Sequence, residues 1–277
     1  MNFNIQPINF NIANVRFKSN SNISQPKGSD LERNPKMDSF EMSIGYVNDA
    51  HGQTNNMMRI LSGIKGDLKL SAGDNDIGDE KNDAIHQATT KFLNIADIKA
   101  SALGNHEIDM SQKDCIDAIN RFNGLMLSIN FEQIPLEEQD PEDIQKYGRA
   151  DLKNHLTKSA VVEVKGQKIG LIGASPIDMM SRLTHPNYYT DCSVDDLDDT
   201  IELIQNEIDK FKEQNINKVI LVSHLGHKAD KFVAENIDGI DVIVGGHTHE
   251  LIKDIKEGEN LLYSKTCLLY TSPSPRD

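Results

Sequence analysis

The stretch Asp241–Glu250, DVIVGGHTHE, decides how the rest of the chain is read. A short β-branched run, Val242 to Val244, stops at Gly245 and Gly246 and then presents His247 and His249 with Thr248 between them. Such a run is a strand signal, and a glycine pair is backbone free to turn sharply. Two readings compete. One is a tight turn that happens to carry histidines; the other is a hinge that brings two imidazoles onto a metal.

Moving outward, the same grammar recurs. Strand candidates are SIGYV (43–47), LKLS (68–71), IKASAL (98–103), LMLSI (125–129), VVEV (161–164), IGLIGA (169–174) and VILVS (219–223), with the short polar link KGQK suggesting a hairpin between 164 and 169. Helix candidates are 55–64, 83–95, 112–122 and 195–214. The last places Leu197, Ile201, Ile204, Ile208 and Phe211 on one face. Short apolar runs alternating with helical ones point to an α/β domain.

The domain is expected over residues 39–266, with 132–155 (EEQDPED inside it) as a surface insertion. Residues 1–38, rich in Asn, Ser, Gln and Lys, read as a flexible leader. Residues 267–277 read as a non-native tail, similar to translated adapter sequence, so the native chain is expected to continue past about Thr266. Its 277 residues carry 29 basic and 43 acidic side chains, a net charge of −14, with 38% hydrophobic residues and no Trp. No basic stripe offers the phosphate-tracking surface of a nucleic-acid binder. No apolar run nears the ~18 residues of a membrane span. The N-terminus lacks the charged start and apolar stretch of a secretory signal, so a cytoplasmic location is expected. Cys115, Cys192 and Cys267 are far apart and form no CxxC pair.

Of nine histidines, five (His51, His106, His224, His247 and His249) fall just after strand candidates. In α/β proteins, ligand-binding residues gather at the carboxyl ends of strands. Asp49 and His51 are two apart, so an extended segment projects both to one side. Asp74 follows a glycine; alone, it would pass as a turn residue. Asn105, His106 and Asp109 follow another strand. Two aspartates (Asp49, Asp74), one asparagine (Asn105) and four histidines (His51, His224, His247, His249) exceed one tetrahedral zinc and suit two metals sharing a carboxylate. Nitrogen and oxygen donors without thiolate suit Mn²⁺, Zn²⁺, Fe or Co²⁺. Gly73, Gly104, Gly245 and Gly246 are expected to turn the backbone beneath them. Asp76 and Asp79 are read as solvent-facing, His227 as a helix-surface residue, and His86, His155 and His185 as structural.

The ordered blocks NDAHG, AGDNDIG, GNHEID, SHLG and GGHTH closely resemble the calcineurin-like metallophosphoesterases, more narrowly their 5′-nucleotidase and UDP-sugar hydrolase branch. The match runs from about Met42 to Leu262. The resemblance implies a four-layer α/β/β/α sandwich of two mixed sheets with two divalent metals at the strand ends. It implies that Asp49, His51 and His249 hold one metal, that Asn105, His224 and His247 hold the other, and that Asp74 bridges them. His106 would act as general acid, oriented by Asp109. The activity it implies is hydrolysis of phosphate monoesters, 5′-nucleotides or UDP-sugars, by in-line attack of a metal-bridging hydroxide. A phosphodiesterase on the same site and a non-catalytic metal-binding domain are the alternatives, and the His106–Asp109 pair favours an enzyme. In that branch a C-terminal domain clamps the nucleobase, and nothing here corresponds to it. Such relatives are often exported, which makes a periplasmic or extracellular location the alternative.

Overall fold

The computed structural model describes residues 11–18, 39–53, 57, 63–76, 83–249 and 262–265, with side chains over 40–53, 57, 63–76 and 84–249. Its first sheet contains β1 (Asn11–Lys18), β2 (Ser39–Val47), β3 (Leu68–Ser71), β4 (Ala100–Ala102) and β5 (Leu125–Leu127), in that spatial order. After β6 (Phe131–Gln133) come β7 (Ser159–Val164) and β8 (Gln167–Ala174). Then β9 (Cys192–Val194) pairs back onto β6, and β10 (Val219–Ser223), β11 (Val242–Gly245) and β12 (Leu262–Lys265) complete a second sheet of order β12-β11-β10-β8-β7. Each five-stranded sheet is mixed. β1 runs antiparallel to β2 and β7 antiparallel to β8, while the other pairings are parallel.

The two sheets face each other across one apolar layer. Ile44, Leu70, Ala100 and Leu127 of the first meet Ile169, Leu171, Ile220, Val222 and Val244 of the second. The alternate residues of the second sheet, Ile172, Leu221 and Ile243, face outward onto α5 (Leu197–Glu213) and α6 (His227–Asn236). The period-2 geometry of a strand makes both faces apolar here because both are covered. On the first sheet's outer side, α1 (Asp83–Ile95) packs Phe92 and Leu93 with Val47, Ile98 and Phe122, and α2 (Gln112–Arg121) buries Cys115 and Ile119. Helices, sheet, sheet, helices: this is the four-layer sandwich that the sequence resemblance implies.

Helix α5 forms because its apolar residues share one face and its ends are chemically marked. Asp196 caps the N-terminus by accepting from the Asp199 N–H, with Asp198 in the first turn and Lys210 and Lys212 in the last. Ile204, Ile208 and Phe211 lie buried against the second sheet.

Several expectations need correction. Residues 1–38 are not wholly a flexible leader, because Asn11–Lys18 forms β1 and pairs with β2 over its full length. Isolated apolar residues among Asn and Arg hid that strand. Of the helix expected at 55–64, Met57, Gly63 and Ile64 are described: Met57 is helical, whereas Gly63 lies in a turn and Ile64 beyond it. Residues 132–155 do lie on the surface, with none of 134–151 buried, but they contain α3 (Pro141–Tyr147) and are pinned at both ends: Leu152 is fully buried, and Gln133 donates to Asp191 and to the Ala150 carbonyl. Residues 267–277 lie outside the described residues. α4 (Met179–Arg182) and the β6–β9 ribbon had no expectation in the sequence, and α6 only that of a helix carrying His227.

At the start of β11, Asp241 accepts from the Val219 N–H at 2.8 Å, and burial pushes its carboxyl up to about 6. The folded value lies above the unfolded one of about 3.9. The native state therefore holds this proton more tightly, and stability from this group falls as pH rises from 4 through 6. Asp241→Asn keeps an acceptor oxygen without the charge. It is expected to be more stable than wild type at pH 7 by roughly 1–3 kcal/mol, with the difference vanishing near pH 4. Urea melts of both proteins across that range check this; a constant difference would remove Asp241 as the cause.

Candidate metal centre

All the expected ligands lie in loops leaving the carboxyl ends of parallel strands: Asp49 and His51 after β2, Asp74 after β3, Asn105 and His106 after β4, His224 after β10, and His247 and His249 after β11. The loops are stitched together before any ligand is considered. Asp49 N–H donates to the Gly73 carbonyl at 2.9 Å and His51 N–H to that of Asp74 at 3.0 Å. His106 N–H donates to Asp74 Oδ1 at 2.9 Å, and His247 N–H donates to Asp49 Oδ1 at 2.8 Å across the two sheets.

Three overlapping groups of side chains could hold a cation: Asp49, His51 and His249; His51, Asp74 and His106; and Asp74, His224 and His247. His51 Nε2 and His249 Nε2 are 3.0 Å apart, a spacing that needs a proton or a cation between them. His224 Nδ1 is 2.5 Å from the Ala72 carbonyl, which can only accept, so Nδ1 carries the hydrogen and Nε2 faces inward. That Nε2 sits 2.9 Å from Asp74 Oδ2, an ion-pair distance, and 3.9 Å from Asp49 Oδ1. The Asn105 Oδ1 is buried with no donor. A buried acceptor left alone costs about 1–3 kcal/mol. That oxygen fits a site whose missing partner is a cation.

The electrostatics follow the same arrangement. Burial works against charge on His224, but the Asp74 and Asp49 carboxylates outweigh it and raise it to about 9. Burial likewise opposes charge on Asp74, and the surrounding imidazoles hold it well below the usual carboxylate range. Burial lowers His51, and burial together with His224 lowers His247 to about 4, so both rings favour the neutral form that ligates metals.

The glycine expectation holds at Gly73, whose φ is 94°, and is corrected at the other three. Among the described residues, five expected ligands themselves occupy the left-handed region: Asp49 (φ 50°), His51 (46°), Asp74 (50°), His247 (83°) and His249 (51°). Such backbone costs roughly 1–3 kcal/mol per residue and gathers at functional sites. Gly104 and Gly246 do not supply the turns. A Cβ at Gly104 would strike the Asp74 carboxylate, and one at Gly246 would come within 2.8 Å of His224 Nδ1. Those two glycines clear space for ligands rather than bending the chain.

His106 Nδ1 is 2.8 Å from Asp109 Oδ2, and Asp109 Oδ1 accepts from the Thr184 N–H at 2.8 Å. Three supporting residues carry no role in the sequence reading. Glu107, inside GNHEID, is buried and accepts the N–H groups of Asp74, Asn75 and Gly104 at 2.9, 2.7 and 2.9 Å, clamping two ligand loops together. A glutamate one residue after the histidine was a visible signal, but nothing in one dimension says its carboxylate turns inward. Asp76 does not face solvent: it is buried, with Oδ1 2.6 Å from His86 Nδ1, which also gives His86 a partner. Asp178 reaches His247 Nε2 at 3.1 Å. Asp79 lies outside the described residues. His227 opens α6 and is half-buried, whereas His155 and His185 are exposed.

Residues 42–251 match the family described as calcineurin-like phosphoesterase. A 5′-nucleotidase of Diplobatis ommata is 31% identical over 170 residues, covering 61% of this chain and 26% of that protein. A probable 5′-nucleotidase of Treponema pallidum is 27% identical over 241 residues, covering 78% and 38%. An apyrase of Anopheles gambiae is 32% identical over 248 residues, covering 78% and 40%. The solved 5′-nucleotidase precursor from Thermus thermophilus shares the fold with a TM-score of 0.60 at 24% identity, over 80% of this chain and 44% of that one. This chain spans between 26% and 40% of the length of those three curated relatives. Among the described residues, no helix is long and apolar enough to cross a membrane.

Proposed function

The chain belongs to the calcineurin-like phosphoesterase family, and from that premise we propose that it is a dinuclear-metal phosphoesterase acting on phosphate monoesters, with 5′-nucleotides or UDP-sugars as the substrate class. Asp49, His51 and His249 hold one divalent ion, and Asn105, His224 and His247 hold the other. Asp74 serves both. The observation that carries this reading is the position of Asp74, which belongs both to the donor group of His51 and to that of His224 and His247. The nucleotide class comes from the relatives, which are named 5′-nucleotidases and an apyrase.

Divalent ions held there would supply Lewis acidity, polarising a phosphoryl oxygen and acidifying a water at neutral pH. The chain's own residues do the rest. His106 donates its Nδ1 hydrogen to Asp109, which leaves Nε2 to carry the proton for the departing oxygen. In the metal-free chain burial opposes charge on that ring, but the Asp109 hydrogen bond and the Asp74 charge raise it to about 9. Asp109 is itself fixed by the Thr184 N–H, so the imidazole has one orientation. Glu107 keeps the Asp74 and Asn105 loops in register.

The test is phosphate release by the purified 277-residue chain from AMP and from a bis-aryl phosphodiester, each in Mn²⁺ and in EDTA. Turnover of AMP in Mn²⁺ that EDTA abolishes is expected. Turnover of the diester alone would replace this reading with a phosphodiesterase. Neither, in a folded sample with two ions bound, would leave a metal-binding domain without catalysis.

A further inference from the structure

We propose that Asp178 is a positioning residue for His247, holding the ring so that its Nδ1 lone pair faces Asp74 and His224. Asp178 stands at the N-cap of α4, where an aspartate ordinarily accepts an N–H of its own helix. Here it makes no such bond. One oxygen, Oδ2, takes the Arg182 Nε–H at 2.6 Å, an ordinary pairing one helical turn away. The other, Oδ1, reaches across 69 positions to His247 Nε2 at 3.1 Å. The local ion pair accounts for the first contact and leaves the second unexplained.

An ionised carboxylate only accepts, so the hydrogen in this contact belongs to Nε2 and the lone pair to Nδ1. The backbone of His247 is fixed as well: its N–H donates to Asp49 Oδ1 at 2.8 Å, and its φ is 83°. Ring and backbone are thus each held by a carboxylate from a different loop. A carboxylate on the far nitrogen of a ligating imidazole sets its tautomer and orientation and raises its basicity, and loss of such a partner weakens metal affinity about 10- to 100-fold. His224 obtains the same service from a backbone carbonyl, that of Ala72. The inference rests on His247 being a ligand, as proposed above.

The test has two readouts. Long-range ¹H–¹⁵N spectra of the metal-free protein near pH 7 report the His247 tautomer, and an Nε2–H ring is expected; an Nδ1–H ring would overturn the proposal. Calorimetric titration with Zn²⁺ then compares wild type, Asp178→Ala, Asp178→Asn and Arg182→Ala. The Asp178 side chain is 40% exposed, so its truncation leaves no buried void, and far-UV circular dichroism confirms folding. Asp178→Ala is expected to lose about 10- to 100-fold in affinity at one of two sites. Asp178→Asn, which retains an acceptor oxygen, should lose less, and Arg182→Ala should bind within about twofold of wild type. Unchanged affinity in Asp178→Ala, or equal losses in Asp178→Ala and Arg182→Ala, would overturn the positioning role while leaving the proposed function standing. A wild-type chain that takes up no Zn²⁺ would overturn both.

Discussion

Asp74→Asn is expected to abolish phosphate release, by at least about 10³-fold, and to reduce bound divalent ions from two to at most one. The substitution is gentle on the fold. Asp74 sits at φ 50°, a conformation that asparagine tolerates better than other residues. An asparagine Oδ1 still accepts from the His106 N–H, as Asp74 does at 2.9 Å. What disappears is the anion. Oδ2 lies 2.9 Å from His224 Nε2, and the same side chain groups with His51 on the other side. Among the described residues, no other carboxylate belongs to both donor groups. Metal analysis of the dialysed variant beside an AMP assay checks the expectation. Sustained turnover with two ions per chain would sink the bridging assignment.

His106→Ala is expected to keep both ions and to lose roughly 10²–10⁴-fold in kcat on AMP, the usual worth of a positioned acid. The leaving group supplies a sharper diagnostic. An aryl phosphate departs as a stabilised phenolate that needs little protonation, so its loss should be far smaller than that of an alkyl ester. His106 is not wholly outside the ligand shell, because it also groups with His51 and Asp74. If the variant loses an ion, or if alkyl and aryl substrates suffer equally, then His106 binds metal rather than protonating the leaving oxygen.

Most of the candidate site was legible because each strand announces its own end. Val242–Val244 is a β-branched run that stops at Gly245 and Gly246, Val219–Val222 is an apolar run that stops at Ser223, and a candidate ligand follows each stop within a few positions. Order along the chain is therefore order around the site. The strand β1 was not legible, since Asn, Arg and Lys alternate there with too few apolar residues to show a period. Nor were β6 and β9, at three residues each. Glu107, Asp76 and Asp178 escaped for a different reason. Each is a carboxylate in a polar loop, where sequence favours the solvent, and each finds its partners through tertiary contacts. The expected glycine hinge failed on the same ground: strain tolerated by Asp49, His51 and His247 shows only in three dimensions.

The candidate ligands that face each other across the seam between the sheets are far apart in the chain. His51 and His249, whose nitrogens lie 3.0 Å apart, are separated by 198 positions, and so are Asp49 and His247. During synthesis the first donor group cannot close until residue 249 has left the ribosome, long after β2, β3 and β4 have been made. Until then the first sheet carries Asp49, His51, Asp74 and His106 without the imidazoles of His247 and His249. Completing the candidate metal groups is thus a late event of synthesis, and a truncation upstream of residue 247 yields a chain that lacks both histidines that follow β11.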